Sequence, residues 1–449
     1  MIDIDSVEQT LADSVCSTLL KAPDTKTVII AYSGGVDSHV LLYACSLLLS
    51  RFINIDFKSI YIDHGLHSDS KKWRDHCEKI AKSLAIPFQS IVVDAKDVKG
   101  EGPEQAARHA RYDAFKRQVK KNCLLLTAQH QDDQAETLLL QLLRGCGVQG
   151  LAGMPVLDGF SEGHIGRPFL GVSRELIVQY AVKKHLKWVE DPSNEDSSFN
   201  RNYLRNKVVP LIKKRWPAFS VTTSRTAQHC ADASALINNL SIEYMDLEKP
   251  YRLDLSTIQL LDNKVQRAVL RHWLALNNVQ MPSSKVLLQL QKNVIQADIG
   301  KSPKLIWAEY EIRRFENFIY LMKKLPRVLA SLNVNWSGLR CSLPDMMGTL
   351  QLSPCVGQGV KQDFWKANAV TVRTRQGGEK IKLRGRHGTR KLKKLLNEQA
   401  MPNWLRERLP LIYIAGELVG VADLWIDEHF LANADEQGYK ILWEHPDLL

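Results

Sequence analysis

A chain of 449 residues is long enough for two or three domains, each with its own hydrophobic core. Its 45% apolar and 24% charged residues are typical of a soluble globular protein, and no apolar run is as long as a membrane span. The acidic N-terminus lacks the basic segment of a signal peptide. The eight cysteines form no Cys-x-x-Cys pair, which favours the reducing cytosol, while a net charge of +11 suggests a polyanionic partner.

The first half of the chain alternates between strand and helix patterns. We expect strands at Val28–Tyr32, Ser59–Asp63, Phe88–Asp94 and Cys123–Gln129, with helices near Ser38–Ser50, Ser70–Leu84, Glu104–Lys121 and Asp132–Arg144. Continuous apolar strands separated by amphipathic helices predict a Rossmann-like α/β domain, with a parallel sheet covered on both faces. Ligands of such sheets bind beyond the carboxyl ends of the strands.

The first predicted strand leads into a glycine loop at the start of an apolar helix, with the sequence Ser33-Gly34-Gly35-Val36-Asp37-Ser38. Backbone amides and the helix dipole favour a phosphate here, and the two glycines allow its close approach. No Gly-Lys-Ser/Thr follows, so the loop is not of the Walker type. An acidic residue in an anion site needs a bridging cation, and Asp37 therefore predicts Mg²⁺. The loop resembles the pyrophosphate loop of the N-type ATP pyrophosphatases, or PP-loop superfamily, which implies ATP as a substrate.

Two further strand ends carry polar residues. Asp63-His64 follows the second strand, and His130 to Asp133 follows the fourth, with Glu136 one turn further along the same helix face. Because these strand ends and the glycine loop meet at one edge of the predicted sheet, we expect the active site there. Simpler interpretations stay open: Asp133 complements the dipole of its helix, and Asp63-His64 is a strand cap beside a surface histidine.

Four arginines on helical segments are candidates for phosphate contacts. Arg108 and Arg111 share one helix face, and Arg201 and Arg205 lie on a helix that we expect to stop before Pro210. Either pair suits the stabilisation of charge on a phosphate group. The alternative is that these side chains lie on solvated faces and form exposed salt bridges.

The rest of the chain predicts a connector, a linker and two smaller units. A glycine-rich connector at Gly145–Gly153 is suited to a flap, and a helix capped by Ser173 and a turn at Glu190–Asn194 follow it. A long helix is expected at Pro217–Leu247. The two smaller units are one at Leu253–Lys324, helical and then strand-like, and a last one from Val334 that mixes short strands with a basic helix. We expect three domains, at 1–217, 218–330 and 331–449.

The last unit holds the clearest charge asymmetry. Between Arg373 and Arg408 twelve Lys and Arg residues stand against three Glu, an excess of nine positive charges. The basic residues singled out here are Arg384, Arg386, Arg390, Lys391, Lys393 and Lys394. A run this unbalanced favours contacts with nucleic-acid phosphates, and a solubilising surface is the alternative.

Together the motifs resemble those of the bacterial tRNA(Ile)-lysidine synthetases over nearly the full length of the chain. They are Ser33–Ser38, Asp63–Leu66, Ala107–Tyr112, Thr127–Thr137, Gly150–Met154, Glu190–Asn194, Arg201–Arg205, Gly377–Glu379 and Lys391–Leu396. The resemblance implies a PP-loop catalytic domain at 1–217, a helical linker and small substrate-binding domain at 218–330, and a small α+β tRNA-binding domain at 331–449.

The resemblance also implies a reaction in two steps. ATP adenylylates the wobble cytidine of the isoleucine tRNA with a CAU anticodon, and free L-lysine then displaces AMP to give lysidine. Residues Ser33–Ser38 would hold the pyrophosphate end of ATP with Asp37 on Mg²⁺, and Arg111 and Arg205 would stabilise phosphate charge. Asp133 and Glu136 are then candidates for lysine binding and His130 for proton transfer or alignment of the adenylate, while the identity of the base stays open.

For tRNA contacts the candidates are Arg201 and the six basic residues of the last unit. The sequence leaves the oligomeric state open, with a homodimer as one arrangement. Rival functions are a tRNA thiolating enzyme or a small-molecule amide synthetase of the same superfamily, and a non-catalytic RNA-binding scaffold. The lack of paired cysteines and of a cysteine after Met1 disfavours the first two. A scaffold would not need the phosphate loop and His130–Glu136 together.

Overall fold

The structure, a computed structural model, describes residues 4–65, 69–94, 103–298, 301–328 and 332–444. Leu66, the end of one quoted motif, and the expected boundary between residues 330 and 331 lie outside these ranges. The chain forms two compact units, Met1–Leu236 and Ile237–Leu449. Within the described ranges, no helix combines the length and the apolar character needed to cross a bilayer.

A six-stranded sheet forms the centre of the first unit. Its strands are β1 (Thr27–Ala31), β2 (Asp56–Asp63), β3 (Phe88–Val92), β4 (Cys123–Leu126), β5 (Leu157–Phe160) and β6 (Gly163–Gly166), in the order β3-β2-β1-β4-β6-β5. All neighbouring strands are parallel except β5, which pairs antiparallel with β6. The parallel α/β sheet is confirmed. The β5–β6 hairpin was not predicted, because its short glycine-containing strands lack an apolar run.

Helices cover both faces of this sheet. They are α1 (Ile4–Leu20), α2 (Val36–Ser46), α3 (Ser70–Ser83), α4 (Pro103–Gln118), α5 (Gln131–Leu143), α6 (Val148–Leu151), α7 (Arg174–Lys183), α8 (Asn200–Tyr203) and α9 (Val209–Arg215). Alternate residues of β1 serve separate cores: Val28 and Ile30 pack in the cluster that contains α1 and α2, and Ile29 packs with Phe115 of α4. This two-sided burial explains why β1 is apolar throughout.

The strand order determines where the site forms. Since β2, β1 and β4 are neighbours and parallel, the segments that follow them lie side by side at one edge of the sheet. The predicted meeting of these three strand ends is confirmed. Strand β4 ends at Leu126 instead of the expected Gln129, so the loop that follows it starts at Thr127. Helix α2 ends at Ser46 instead of near Ser50.

One expectation about the helix that carries Arg201 and Arg205 is wrong. It does not stop before Pro210: α8, a π-helical turn at Leu204–Val208 and α9 follow one another, and Pro210 lies in the first turn of α9. Proline is tolerated there because the first amides of a helical segment lack an intrahelical acceptor. The cap on α7 is confirmed, since Ser173 Oγ accepts from the amide of Leu176 at 3.3 Å.

Helix α10 (Phe219–Ile242) contains the division between the two units and ends earlier than the expected Leu247. The second unit contains helices α11 (Leu255–Ile258), α12 (Asn263–Leu276), α13 (Ser284–Leu290), α14 (Gln362–Ala367), α15 (Leu392–Glu398) and α16 (Asn403–Arg406). Its first sheet is antiparallel, in the order β7-β10-β9-β8, from β7 (Arg252–Asp254), β8 (Lys304–Trp307), β9 (Tyr310–Phe315) and β10 (Phe318–Lys323).

The remaining strands of the second unit form two larger sheets and a short ribbon. One sheet contains β11 (Asn333–Asn335), β15 (Val370–Arg373), β18 (Leu411–Ile414), β19 (Glu417–Val421) and β20 (Trp425–Ile426). The other contains β12 (Arg340–Ser342), β13 (Thr349–Val356), β14 (Val360–Lys361) and β21 (Gln437–Glu444), and the ribbon pairs β16 (Lys380–Ile381) with β17 (Arg390–Lys391). The α+β character expected for the C-terminal part is confirmed.

Candidate active site

The glycine loop between β1 and α2 is braced by its own serines. Ser38 Oγ accepts from the amide of Ser33 at 3.2 Å and donates to the carbonyl of Gly35 at 2.9 Å. Gly35 is the residue that caps α2, and it supplies no side-chain acceptor. The first amides of α2 therefore remain available for an anion such as a phosphate group.

Gly34 adopts a conformation that few other residues tolerate. Its φ is +84°, and an added Cβ would lie 2.9 Å from Cys77 Sγ. Its carbonyl accepts from the amide of Val189 at 2.9 Å. Burial raises the pKa of the Cys77 thiol to about 12, so this group stays protonated and serves packing. Sequence reasoning missed both contacts, because nothing local links Cys77 or Val189 to the loop.

Asp37 lies in the first turn of α2 and faces α5. Its Oδ2 atom is 3.7 Å from His130 Nε2. Its Oδ1 atom is buried and has no hydrogen-bond partner among the described residues. A buried carboxylate oxygen without a partner is costly, and a bound cation would satisfy it.

His130 caps helix α5 through its side chain. Its Nδ1 atom accepts from the amide of Asp133 at 3.3 Å, and Asp133 Oδ2 accepts from the amide of His130 at 3.0 Å. The other ring nitrogen, Nε2, lies 3.3 Å from Asp133 Oδ2. Burial opposes the charged ring, but Asp37 and Asp133 outweigh it and raise the pKa of His130. The ring is thus fixed between two carboxylates at the edge of the site.

Two arginines bind the carboxylates of α5. Arg201 reaches Asp133 Oδ1 at 2.9 Å and Glu136 Oε2 at 2.8 Å. Arg205 reaches Asp133 Oδ1 at 2.7 Å and Glu136 at 2.7 Å to Oε1 and 2.9 Å to Oε2. We call these four side chains the arginine–carboxylate cluster. The alternative interpretation, exposed salt bridges, does not describe these contacts, because Glu136 is 2% and Arg205 29% exposed.

Contacts in the cluster shift the pKa values of Asp133 and Arg205 toward the charged form of each side chain. Burial opposes ionisation of Asp133, but His130, Arg201 and Arg205 together hold its pKa below the ordinary value. Burial likewise opposes the charged form of Arg205, and Glu136 and Asp133 raise its pKa nevertheless. Both shifts favour the ionised form, and two guanidinium groups face two carboxylates within the cluster.

A cavity of about 230 Å³ opens at the edge formed by the strand ends. Its polar lining includes Ser33, Gly35, Asp37, Ser38, His64, Arg111, Thr127, Gln129 and Asp133, and its apolar lining includes Ile60, Ile62, Tyr112 and Phe115. The phosphate loop, one arginine of α4 and the start of α5 thus face a common space. Polar groups from several elements thus converge on one cavity that also has apolar walls, as is typical of a ligand site.

The two arginines of α4 have different surroundings. Arg111 lines the cavity, whereas the Arg108 guanidinium lies 4.9 Å from the ring centroid of Tyr112. His64 also lines the cavity, and burial followed by the charge of Arg111 lowers its pKa. His64 is thus half-buried and borders the cavity, and a role for it in the site stays a prediction.

Helix α5 is also held in place by contacts that the sequence did not indicate. Gln134 binds the backbone of Met154 through both amide atoms, at 2.8 and 2.9 Å, which anchors the end of the glycine-rich connector. Lys213 of α9 binds Asp132 at 2.9 Å. Closure of the connector as a flap stays a prediction.

The basic residues of the second unit lie on a surface. Arg384, Arg386, Lys391, Lys393 and Lys394 are exposed and Arg390 is half-buried. Helix α15 buries its leucines, among them Leu392 and Leu395, and leaves its lysines in solvent. Arg386 binds Glu398 at 2.6 Å. The residues predicted to contact tRNA therefore belong to both units. Arg201 lies in the arginine–carboxylate cluster of the first unit, and the other six lie in the second.

Three family models match the chain. A PP-loop domain matches residues 7–212, a TilS substrate binding domain matches 253–320, and a TilS substrate C-terminal domain matches 370–443. Each match falls within one of the three expected domains, while the boundaries between these domains stay a prediction.

Curated relatives match almost the whole chain. A tRNA(Ile)-lysidine synthase of Coxiella burnetii is 39% identical over 93% of this chain and 93% of its own length. The chain belongs to the tRNA(Ile)-lysidine synthase family. Proteins of the same name from Methylococcus capsulatus and Pseudomonas syringae pv. tomato are 35% and 38% identical, covering 93% and 94% of this chain and 96% and 93% of theirs.

Among solved structures, a U34-tRNA thiolase from Methanococcus maripaludis shares a weaker likeness with this family member. Its TM-score is 0.42 at 16% identity, covering 50% of this chain and 78% of the other. This likeness is too weak to say anything about activity.

Proposed function

We propose that this chain joins free L-lysine to C2 of the wobble cytidine, position 34, in the isoleucine tRNA with a CAU anticodon, with ATP converted to AMP and pyrophosphate. The proposal is carried by one observation: the phosphate loop faces His130 and Asp133 across neighbouring strand ends, in a chain whose relatives are named tRNA(Ile)-lysidine synthase. The product pairs with A instead of G, so the tRNA changes from methionine to isoleucine identity and reads AUA instead of AUG.

The phosphate loop is assigned to the triphosphate of ATP. Ser33–Ser38 present backbone amides at the start of α2, and the braced serines hold these amides in place. The cavity beside the loop supplies apolar walls, Ile60 and Ile62, for the adenosine part. Binding of a nucleotide at the carboxyl ends of parallel strands is the general behaviour of such sheets.

Asp37 is the residue proposed to hold Mg²⁺. Its unpartnered Oδ1 atom fits a cation, and Mg²⁺ commonly takes one carboxylate with phosphate and water oxygens completing its shell. Across the described part of the chain, no group of three or more His, Cys, Asp and Glu side chains is arranged to hold a metal. When bound, Mg²⁺ would neutralise the charge on the departing pyrophosphate.

In the first step the O2 atom of the cytidine attacks the α-phosphorus of ATP, and pyrophosphate leaves. Arg111 in the cavity and Arg205 beside Asp133 are proposed to stabilise the phosphate charge. The wobble base must leave its stack to reach the cavity, as is general for enzymes that act on a base.

In the second step the side-chain amine of lysine attacks C2, and AMP leaves with the O2 atom. Asp133 and Glu136 are proposed to bind lysine, and His130 is proposed to move a proton or to align the adenylate. The attacking amine must lose a proton, and His130, Asp133 and Glu136 are our candidates for the group that accepts it.

The tRNA is proposed to contact Arg201 and the exposed basic residues Arg384, Arg386, Arg390, Lys391, Lys393 and Lys394. Contacts of this kind go to phosphates and position the nucleic acid without reading its sequence. We further propose three domains with boundaries near residues 217 and 330, and action in the cytoplasm, where tRNA and ATP are available. A homodimer is one arrangement, and light scattering of the purified protein decides it.

The reaction is tested with ATP, free lysine and a transcript of the isoleucine tRNA that carries a CAU anticodon. Pyrophosphate release is followed, and the digested nucleosides are weighed by mass spectrometry. We expect release only with the CAU transcript, together with a cytidine heavier by lysine minus water. A UAU transcript is the matched control.

Two outcomes would contradict the proposal. Release without the mass gain would retain an ATP pyrophosphatase that acts on another acceptor. No ATP cleavage at all would favour an RNA-binding protein without catalysis.

A further inference from the structure

Every oxygen of the two carboxylates proposed to bind lysine already accepts a hydrogen bond. Asp133 Oδ1 accepts from Arg201 and Arg205, and Asp133 Oδ2 accepts from the amide of His130. Glu136 Oε1 accepts from Arg205, and Glu136 Oε2 accepts from both arginines. A lysine ammonium group would therefore compete with the two guanidinium groups for these oxygens.

The cluster is also electrically complete. Two guanidinium groups face two carboxylates, and the side chain of Glu136 is 2% exposed. A third cation would raise the buried charge to an uncompensated positive value, which is unfavourable away from water. One ammonium group is also a weaker competitor than two planar guanidinium groups, which bind carboxylates through several bonds each.

The arginines lie on a segment suited to displacement. Arg201 belongs to the single-turn helix α8, and Arg205 lies in the π-helical turn Leu204–Val208. A π-helical turn is a common site of functional rearrangement because its hydrogen bonding is irregular. The cluster also adjoins the phosphate loop, since Asp133 contacts His130 and His130 lies close to Asp37.

We propose that Arg201 and Arg205 occupy the lysine subsite until nucleotide phosphate is bound, and that the phosphate charge then draws them off Asp133 and Glu136. The inference rests on the proposed function and deepens it, because it makes nucleotide binding a condition for lysine binding. Lysine is then admitted only when a phosphate group is present, so it cannot occupy the site before ATP.

Lysine binding tests this without any turnover. Radiolabelled L-lysine is dialysed to equilibrium against the full-length protein in three conditions: alone, with Mg²⁺ and α,β-methylene ATP, and with these plus the CAU transcript. For the wild-type protein we expect at least tenfold tighter lysine binding in one of the nucleotide conditions than in the protein alone. The condition in which the gain first appears tells whether ATP or the assembled tRNA complex supplies the phosphate.

The variant Arg201→Ala removes one guanidinium group and leaves the buried cluster with an unbalanced negative charge. We expect it to bind lysine at least tenfold more tightly than the wild type without nucleotide, and we expect Arg201→Lys to restore most of the wild-type behaviour. Lys207→Ala is the matched control, because Lys207 is exposed on the same segment and lies outside the cluster. Its lysine binding should equal that of the wild type.

Equal lysine affinity of the wild type with and without nucleotide would overturn the inference, whatever the variants do. An Arg201→Ala protein that folds, as judged by circular dichroism, and does not gain affinity would also overturn it. Both results are compatible with a cytidine that gains the mass of lysine in the reaction test. Failure of that reaction test would instead count against the proposed function.

Discussion

The arginines of the two units show two uses of the same side chain. In the first unit Arg201 and Arg205 are half-buried against Asp133 and Glu136, and their charges are balanced within hydrogen-bond distance. In the second unit most of the basic residues between Arg384 and Lys394 lie in solvent, and the pair Arg386–Glu398 is 45% exposed at both ends. In our proposal, the charge-balanced arginine–carboxylate cluster controls the binding of lysine. An unbalanced exposed surface provides affinity for polyanions that falls with salt.

The largest effect is expected at Asp37, whose buried Oδ1 atom has no hydrogen-bond partner among the described residues. Asp37→Ala removes the group proposed to hold Mg²⁺ and should lower pyrophosphate release by about 10²–10³-fold or more, as for loss of a major charge-stabilising contact. Binding of the tRNA, measured by filter retention, should be nearly unchanged. Weakened tRNA binding with retained turnover would remove the metal role from Asp37.

The buried cluster should also carry stability, unlike an exposed pair. Glu136→Ala leaves two guanidinium groups short of a partner, and we expect the free energy of unfolding of the first unit to fall by about 3–5 kcal/mol. Urea unfolding followed by tryptophan fluorescence measures it. Glu162→Ala is the control, because the Lys120–Glu162 pair is about 60% exposed at both ends and should contribute less than about 1 kcal/mol.

A double variant sharpens this result. Combining Glu136→Ala with Arg201→Ala restores the charge balance, so part of the lost stability should return. If the two losses simply add, the cluster is not energetically coupled, and the contrast with the exposed pair fails.

On the exposed surface the expected effect is on salt dependence. Replacing Arg390, Lys391, Lys393 and Lys394 with alanine should weaken tRNA binding and reduce the slope of log affinity against log salt by about 3, since each lost phosphate contact removes about 0.7–0.9. The control replaces four exposed lysines of α3 (Lys71, Lys72, Lys79 and Lys82), which removes the same charge from another place. An unchanged slope in the first variant would make the basic run a solvated surface only.

Local sequence signals were sufficient for the parallel strands β1 to β4 of the first unit and for the strand ends at which its candidate site lies. Apolar strands, amphipathic helices and the loop Ser33–Ser38 each involve neighbouring residues, and strand order then brings the three strand ends together. Contacts between distant segments could not be read in this way. The packing of Cys77 beneath Gly34 depends on the tertiary fold, and so does the placement of Arg201 and Arg205 on the carboxylates of α5.

The same limit explains the errors. A proline was taken as a helix end at Pro210, although a π-helical turn places it in the first turn of the next segment, where it is tolerated. The alternative that Arg201 and Arg205 form exposed salt bridges followed from the usual exposure of arginine. Burial with a partner is the exception that only the packed structure shows.

The smallest expected effect is the pH dependence of the stability that His130 gains from the two carboxylates beside it. Burial opposes the charge of this ring, but Asp37 and Asp133 raise its pKa above the ordinary value of 6.5. A group with a raised folded-state pKa stabilises the protein below its unfolded value, and this contribution is lost as pH rises through the folded value. His130→Asn should therefore be less stable than the wild type at pH 6, and the difference should shrink toward pH 9.

Urea unfolding at several pH values measures this difference. His185→Asn is the control, because His185 is an exposed histidine outside the candidate site. Its difference from the wild type should not depend on pH in the same direction. A His130→Asn deficit that grows with pH would mean that the neutral ring is the stabilising form. The cap from His130 Nδ1 to the amide of Asp133 would then outweigh the two carboxylates, because that bond requires an unprotonated nitrogen.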